Sequence, residues 1–470
     1  MFNTINIEFL KSALKTKDCL HSLEEIVEWL KIKNQETYVE ITEIPFSQMS
    51  DWGFDSQTGA LRHKTGNFFS IEGIQVKTNW GNVAEWQQPI INQPEIGYLG
   101  IITKQINGVL YFLLQAKIEP GNVNHVQLSP TLQATRSNYE ARHQGKKPIY
   151  LEYFQGVNQH QILLDQLQSE QGARFLRKRN RNIIIKIEEE IELQTNFIWV
   201  TLGQIKELLK FDNLVNMDTR TVISGISFTD INPDVFETIC ETNNLTYDSK
   251  KHLVSYLNNS FSLYTFDEIL NWITRLKFYY DLEISSVDLR KVMHWKIEEN
   301  EIKHQDNLYF KVIATEVKIN NREVATWNQP LVQPVLDGII AFIIRKIEGV
   351  YHFLIQAKVE PGNFDVVEMA PTVQCITGSY KHSDEIPFLK EILNATSDQI
   401  IFDTLQSEEG GRFYHEQNRN LIIEVDDLFS LVVPENYKWI SLSQLTLFLK
   451  FNNYLNIQSR SLISALNLNL

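Results

Sequence analysis

The sequence has few cysteines and no long hydrophobic run. Its three cysteines, Cys19, Cys240 and Cys375, are widely spaced and odd in number, which argues against a disulfide framework and is typical of reduced thiols in a cytoplasmic protein. The longest apolar stretches, 108–114 and 338–344, are far shorter than the ~20 residues that a membrane-spanning helix needs. The amino terminus also lacks the basic start and apolar block of a secretory signal. We therefore expect a soluble, cytoplasmic protein without a membrane partner.

Positive charge is scarce as well. The chain has 44 Lys and Arg against 58 Asp and Glu, a net charge of −14. Sequence-independent binding to nucleic acid needs a broad cationic face, so we expect no nucleic-acid partner. An anionic ligand would need a local basic cluster, and the segment RFLRKRNR at 174–181 is the most concentrated one.

Several catalytic fingerprints are missing. The sequence has no GxGxxG, no GxxxxGK[ST] and no GxSxG motif, which removes the usual evidence for a Rossmann-bound nicotinamide, a P-loop and a serine nucleophile elbow. It has no HExxH and no paired CxxC, and His63 and His304, which lie 241 positions apart, have no neighbours at the spacing of metal ligands. We expect neither a metal ion nor another cofactor.

What the sequence does contain is an internal repeat. FLLQAKIEPGN at 112–122 returns as FLIQAKVEPGN at 353–363, and QSEQGARF at 168–175 returns as QSEEGGRF at 406–413. A period of about 240 residues is too long for a solenoid unit and indicates a whole domain duplicated in tandem. We predict a first repeat at 1–230 and a second at 231–470, connected by a linker at about 226–262.

Each repeat shows the same order of predicted elements. Apolar residues at helical spacing predict amphipathic helices at 23–30 and 266–273. Partial alternation predicts strands at 68–78 and 309–319, and hairpins turn at Asn107-Gly108 and Glu348-Gly349. A short strand and a closing helix, from Leu202 or Leu442, follow. Helices and strands do not alternate strictly, which favours an α+β fold.

The hairpin strand ends with three polar residues on one face in each repeat. Period-two alternation puts Gln115, Lys117 and Glu119 on one side, and the second repeat has Gln356, Lys358 and Glu360 in the same pattern. This pattern has two interpretations: a lined cleft, or an edge strand with a solvated face. The following EPGN, with Gly121 or Gly362, favours a cleft because the turn lets backbone amides approach closely, although an ordinary turn also fits.

The QSEQGARF and QSEEGGRF segments, each followed by NRN, supply an arginine and a phenylalanine in both repeats. Arg174-Phe175 and Arg412-Phe413 could hold a diphosphate through the guanidinium and a base or sugar on the aromatic face. The alternative is an Arg-Phe pair that only packs on the surface.

Long blocks resemble one family. The segments HKTGNFFSIEG, QQPIINQPEIGYLG, LLQAKIEPGNVNHVQLSPTLQATRSNYE, KPIYLEYF and SEQGARFLRKRNRN, with WNQPLVQP, FLIQAKVEPGN, MAPTVQ and SEEGGRFYHEQNRN in the second repeat, closely resemble the NDP-hexose 2,3-dehydratase family. The resemblance covers nearly the entire chain. It implies an α+β fold made by tandem duplication of two Nudix-like α/β-sandwich domains, a homodimer, and a dTDP-sugar pocket in each repeat, of which one is catalytic and the other a remnant.

The resemblance implies that the substrate is dTDP-4-keto-6-deoxyglucose and that water is removed across C2 and C3. The C4 ketone acidifies the C3 hydrogen, so a base, an enolate-stabilising donor and an acid suffice. The resemblance also implies that the 3,4-diketo product passes to a separate 3-ketoreductase. Two alternatives remain open: a catalytically silent dTDP-sugar-binding protein, and a Nudix-type hydrolase of a nucleotide sugar, although neither repeat carries a Nudix box.

The candidate site residues come from both repeats, and the divergent segment 131–139 favours the first repeat as the catalytic one. The opposite assignment stays open because the second repeat has its own cluster, Glu408, Glu409, Arg412, Tyr414 and His415, and loss of turnover in Arg412→Ala but not in a variant of Arg136 would favour it. The catalytic candidates are His63, Lys117, Glu119, Tyr139 and Arg136. The substrate-binding candidates are Trp86, Gln115, Asn122, Ser129, Thr131, Gln133, Arg174, Phe175, Arg181, Trp327, Gln356, Lys358, Glu360, Thr372, Gln374, Tyr380, Glu408, Arg412, Phe413 and Tyr414.

Overall fold

The computed structural model combines helices and strands in two repeated, sheet-rich halves. It describes residues 4–139, 147–155, 160–243, 245, 253–257, 261–320, 325–375 and 386–466. No helix among these residues is both long and apolar enough to span a membrane. The bounds of the elements follow for each half.

The first half begins with two helices. Its helices are α1 (Thr4–Leu14), α2 (Leu23–Gln35), α3 (Arg136–Tyr139), α4 (Leu151–Gln155), α5 (Leu202–Leu208), α6 (Met217–Ser224) and α7 (Pro233–Thr242). Its strands are β1 (Val39–Glu43), β2 (Trp52–Phe54), β3 (Leu61–His63), β4 (Ser70–Thr78), β5 (Glu85–Asn92), β6 (Gly97–Ile106), β7 (Val109–Ile118), β8 (Val126–Ser129), β9 (Leu132–Ala134), β10 (Gln161–Ser169), β11 (Arg179–Ile187) and β12 (Phe197–Thr201).

The second half repeats this order. Its helices are α8 (Phe266–Tyr279), α9 (Leu389–Leu393), α10 (Leu442–Phe448) and α11 (Ile457–Ala465). Its strands are β13 (Leu282–Val287), β14 (Trp295–Ile297), β15 (Glu301–His304), β16 (Phe310–Ile319), β17 (Thr326–Pro334), β18 (Gly338–Ile347), β19 (Val350–Val359), β20 (Val367–Ala370), β21 (Val373–Cys375), β22 (Ile400–Ser407), β23 (Gln417–Val425) and β24 (Tyr437–Ser441).

Each half contains a seven-stranded sheet with the same topology. In the first half the order is β10-β11-β6-β7-β12, with β8 paired to β7 and β9 to β6, and β11 runs parallel to β6. Asn107 and Gly108 have φ values of 51° and 80°, as the tight turn between β6 and β7 requires. The predicted hairpins, the opening helices α2 and α8 and the closing helices α5 and α10 are therefore confirmed.

The smaller sheets are built from both repeats. β1 of the first repeat pairs antiparallel with β16 of the second, from Val39–Ile319 to Glu43–Thr315. Reciprocally, β13 of the second repeat pairs with β4 of the first. Each half thus lends one strand to a five-stranded sheet of the other, so the two repeats are interlocked.

The centre of the molecule is a shared core. One hydrophobic cluster contains residues of both large sheets, such as Phe112 and Phe342. Between them, α6 and α11 face each other: Arg220 donates to Ser461 at 2.8 Å, and Arg460 donates to Thr221 at 2.9 Å. Because each buried guanidinium bonds the opposite repeat, the arrangement is nearly two-fold symmetric.

Some elements were not predicted. Helix α1 precedes the expected opening helix, and α6 and α11 follow the expected closing helices. The segment proposed as a linker begins with Phe228 and Ile231 and continues into α7, all packed against the core. Its polar composition hid the apolar residues that hold it in place.

Candidate functional site

A cavity of about 900 Å³ opens above the large sheet of the first half. Its floor is the polar face of β7 and the neighbouring strands β6 and β9, and residues of the second repeat close its other side. The second repeat contributes Glu316, Thr326, Trp327, Asn328, Gln329, Glu409, Gly411 and Arg412. We call this the first cavity; its volume lies within the range of small-molecule sites.

The polar face of the hairpin strand lines the first cavity. Strand β7 lies between β6 and β12, so it is an interior strand and the edge-strand interpretation is wrong. Gln115, Lys117 and Glu119 all reach the cavity. Gln133 donates to Glu119 Oε1 at 2.8 Å, and the Lys117 ammonium lies 3.6 Å from the same oxygen. Among the described residues, Glu119 Oε2 has no hydrogen-bond partner.

Arg412 enters this cavity from the second repeat. Its guanidinium lies 4.2 Å from the centre of the Phe69 ring and donates to Gln93 at 3.3 Å. Burial lowers the pKa of Arg412, and Glu409 and Glu119 oppose that shift. Substitution of Arg412 therefore perturbs the cavity over the first repeat's sheet, so loss of turnover in Arg412→Ala would not assign catalysis to the second repeat.

The loop that carries Arg412 is held by the EPGN turn. Gly121 donates its N–H to Gly410 O at 2.7 Å and accepts from His415 N at 2.7 Å. The mirror contacts join Gly362 to Gly172 and Arg177 at 2.7 and 2.8 Å. The close approach predicted from the Pro-Gly turn therefore exists, but its partner is the other repeat.

Four ionisable residues of the first cavity have shifted pKa values and were not among the catalytic or substrate-binding candidates, although Glu409 was named in the second-repeat cluster. They are Glu170, Lys178, Asp218 and Glu409. Burial raises the pKa of Glu170, and burial together with the nearby carboxyls raises that of Asp218 well above its usual range. Burial lowers the pKa of Lys178 to about 8 and raises that of Glu409 to about 8, where Glu119 adds repulsion.

An aromatic wall completes the first cavity. Trp52, His63, Phe69 and Trp327 line it. His63 Nδ1 lies 2.7 Å from Thr65 Oγ1, and burial lowers the His63 pKa, so the imidazole is neutral near pH 7. The indole of Trp327 donates to Gln329 at 2.8 Å, which fixes the ring as a flat surface for a ligand.

The remaining first-repeat candidates divide between this cavity and other places. Thr131, Gln133 and Phe175 line it, whereas Ser129 accepts from Asn216 at 2.8 Å and Asn122 donates to His125 O at 2.8 Å. The rest lie elsewhere. Arg136 is exposed on α3, Tyr139 packs at 5.5 Å from the Tyr98 ring, Arg181 pairs with Asp165, and Trp86 packs beside Ile74 and Val76.

The equivalent place in the second half is more closed. Arg174, which corresponds to Arg412, is 5% exposed; it lies 3.9 Å from Glu416 and 4.2 Å from the Phe310 ring centre. Glu360 is buried and accepts from Gln374 at 2.8 Å, and Lys358 lies 5.2 Å from the Trp80 ring. The polar face of Gln356, Lys358 and Glu360 is therefore less accessible than the face of Gln115, Lys117 and Glu119 in the first half.

The other second-repeat candidates make contacts within the protein. Thr372 donates to Leu354 O, Glu408 accepts from Asn418 at 2.6 Å, and Gln356 is nearly buried on β19. Phe413 packs edge-on against Phe175 at 5.7 Å, and Tyr414 stacks on His415 at 4.2 Å. Tyr380 lies outside the described residues.

The added ionisable groups could have been found by aligning the repeats. Position 218 is Asp where 458 is Gln, and position 409 is Glu where 171 is Gln. Such exchanges of a carboxyl side chain for a neutral amide mark where two copies have diverged in proton chemistry. Among the described residues, no group of three or more His, Cys, Asp or Glu side chains is arranged to hold a metal ion.

The fold and the cavity define a class of protein: a duplicated, interlocked protein whose cavity holds carboxyl groups beside cationic side chains. Sequence comparison gives the family. The profile described as NDP-hexose 2,3-dehydratase matches residues 23–226 and 266–466. The chain belongs to this family.

Full-length relatives agree. A protein of Saccharopolyspora spinosa named dTDP-4-dehydro-6-deoxy-alpha-D-glucopyranose 2,3-dehydratase is 44% identical over 98% of this chain and 94% of its own. Proteins with the same name from Amycolatopsis orientalis and Streptomyces violaceoruber are each 39% identical, over 97% and 90% of this chain and 92% of their own lengths. The family resemblance stated from the sequence is thus confirmed.

Proposed function

We propose that the chain is a hydro-lyase that removes water across C2 and C3 of dTDP-4-dehydro-6-deoxyglucose, giving dTDP-3,4-didehydro-2,6-dideoxyglucose. The observation that carries the proposal is the first cavity, where carboxyl groups with shifted pKa values lie beside Lys117, Lys178 and Arg412. Acids and bases serve the elimination, and cations serve the diphosphate.

Glu119 is the candidate base for the C3 hydrogen. Its side chain belongs to the lining of the first cavity, its Oε2 has no hydrogen-bond partner among the described residues, and Gln133 holds its other oxygen at 2.8 Å. Lys117, 3.6 Å from that carboxylate, is placed to stabilise negative charge that moves to the C4 oxygen as the C3–H bond breaks. His63, neutral near pH 7, is the second candidate base.

Binding of the nucleotide diphosphate is assigned to the cationic and aromatic sides of the first cavity. Arg412 and Lys178 supply positive charge, and Trp327 and Phe69 supply rings for a base or sugar. Binding energy far from C2 and C3 holds the sugar in register. The closed counterpart around Arg174 then has a structural role or is a remnant.

Further parts of the proposal concern the surroundings of this site. The seven-stranded sheets with flanking helices support a Nudix-like α/β-sandwich in each repeat, with 1–230 and 231–470 as the two units. We further propose a homodimer, a cytoplasmic location and a separate 3-ketoreductase that takes the product. The three free cysteines are compatible with a reducing compartment.

The deciding experiment incubates the protein with dTDP-4-dehydro-6-deoxyglucose, a 3-ketoreductase and a nicotinamide cofactor. We expect a 2-deoxysugar nucleotide by mass spectrometry. Tight binding without loss of the C2 oxygen would support the silent binding protein instead. Release of dTMP that depends on added magnesium or manganese would support a Nudix-type hydrolase.

A pair of variants tests the choice of cavity. Arg412→Ala and Arg174→Ala remove the equivalent guanidinium from the two repeats. We expect Arg412→Ala to cost about 10²-fold or more in kcat/KM, the scale of a lost charge-assisted contact of ~3 kcal/mol, and Arg174→Ala to cost less. The reverse order would move the active site to the second half.

A further inference from the structure

In the same loop-and-helix arrangement, three ionisable positions that differ between the repeats line the first cavity. Glu409 corresponds to Gln171, Asp218 to Gln458, and Lys178 to Glu416. Glu409, Asp218 and Lys178 all line the first cavity. Two extra carboxyls are therefore concentrated at one site, although one of them, Glu409, belongs to the second repeat.

Glu409 is placed close to the candidate base. A methyl group built on Gly411 would lie 2.3 Å from Glu409 Oε1 and 3.5 Å from Glu119 Oε1, so these two oxygens are no more than about 6 Å apart. That spacing allows one sugar ring to touch both carboxyls at neighbouring carbons. Glu409 is half-buried and lines the first cavity.

The surroundings of Glu409 favour its protonated form. Burial is the main cause that raises its pKa, and repulsion by Glu119 and Glu170 adds to the shift. Arg412 and Lys117 oppose it, and the resulting pKa is about 8. Asp218, which also faces this group, has its own pKa raised well above the usual range. At neutral pH the cavity therefore contains a carboxylic acid that can give up a proton.

We infer that Glu409, carried into the first cavity by the second repeat, is the acid that protonates the departing C2 hydroxyl. The inference rests on the proposed function. Glu119 takes the C3 proton, and that electron pair forms the enolate with the C4 oxygen. The pair then returns to form C2=C3 as the C2–O bond breaks, and the Glu409 proton leaves with the hydroxyl as water. The enol product tautomerises to the 3,4-diketone.

At the end of this sequence Glu119 holds a proton and Glu409 has lost one. A single proton transfer between the two, directly or through the water just released, restores the starting state. No oxidant, reductant or ion is consumed. The duplication thus has a catalytic consequence: the base comes from one repeat and the acid from the other.

The test uses Glu409→Gln, which copies Gln171 of the other repeat. Two rates are measured in D₂O with the full-length protein: deuterium entry at C3 of recovered substrate, by NMR, and loss of the C2 oxygen, by the coupled reductase assay. We expect elimination to fall by about 10²–10⁴-fold, the usual contribution of a general acid, while C3 exchange continues. Glu409→Asp should recover part of the elimination rate.

The matched control is Glu368→Gln, which also copies the other repeat. Glu368 accepts from Ser169 at 2.8 Å as Gln127 accepts from Ser407 at 3.0 Å, and it lies outside the first cavity. We expect the exchange rate and the elimination rate of this variant to lie within about twofold of wild type, because the other repeat already has Gln at the equivalent position.

Several outcomes overturn the inference. If the Glu409→Gln variant eliminates water at a rate within tenfold of wild type, Glu409 is not the acid. If the variant loses exchange and elimination equally, Glu409 acts in binding or in the base step. The wild-type protein gives a measurement that needs no variant: elimination should fall above about pH 8 while exchange continues, and a flat profile to pH 9 contradicts it. Failure of wild type to dehydrate the sugar refutes the proposed function instead.

Discussion

Gly121→Ala tests whether the contact between the repeats controls the active site. The added Cβ would lie 1.6 Å from the carbonyl oxygen of Phe413 and 2.7 Å from that of Gly410. Neither atom belongs to a flexible side chain, so the loop that carries Glu409 and Arg412 must move. That movement also breaks or lengthens the backbone bonds of Gly121 to Gly410 and His415.

The cost can be worked from these contacts. Two backbone hydrogen bonds contribute about 0.5–1.5 kcal/mol each, and overpacking costs about 1–3 kcal/mol, so we expect a loss of about 2–6 kcal/mol in the free energy of unfolding. A displacement of about 1 Å at the catalytic groups can cost about 10²-fold in turnover. The variant should therefore be both less stable and far less active under conditions where it remains folded.

The control is Gly362→Ala, which meets the same 1.6 Å clash with Phe175 O but displaces the loop that carries Arg174. Urea unfolding should show similar destabilisation of both variants, and the coupled assay should show a much larger loss of turnover for Gly121→Ala. Equal losses of turnover at matched folded fractions would refute the reasoning, because the contact would then act on stability alone.

Three further predictions address the fold, its pH dependence and the aromatic wall. Because β1 and β4 pair with strands of the other repeat, the fragment 1–230 should fail to fold alone and should gain structure when it is mixed with the fragment 231–470. Circular dichroism measures both results, and independent folding of 1–230 would contradict the prediction. Burial lowers the pKa of Lys206 to about 7, so between pH ~7 and ~10 the unfolded chain binds one more proton than the folded chain, and the free energy of unfolding rises with pH. Urea unfolding at pH ~7 and pH ~9 should show that Lys206→Met removes this rise. An unchanged pH dependence in the variant would refute the prediction. Trp327→Ala should raise KM several-fold, more than Trp86→Ala does, and the opposite order would show that Trp327 is not the ligand surface.

Local patterns predicted the local structure well. The Asn107-Gly108 turn and the alternation that follows it specify a hairpin and put Gln115, Lys117 and Glu119 on one face. The structure confirms both. Such features depend on the rise and period of a strand, which a short segment determines by itself.

The proton chemistry of the site was less accessible to sequence reasoning. Asp218 lies in α6, a helix that was not predicted, and its raised pKa depends on burial beside Glu409 and Glu170. Lys178 belongs to the basic segment first considered for an anion, yet its shift comes from enclosure by protein. A residue's type is visible in a sequence, but its desolvation is a property of the assembled structure.

The sequence by itself determined the duplication, the hairpins and the polar strand face, because these follow from identity between segments and from side-chain periodicity. Only the tertiary structure decided which repeat completes which cavity. Two similar copies offer each strand and loop two nearly equivalent partners, one in its own repeat and one in the other, and local pattern does not distinguish them. Packing around the shared core selects the crossed arrangement, which brings Glu409 and Arg412 to the sheet of the first repeat.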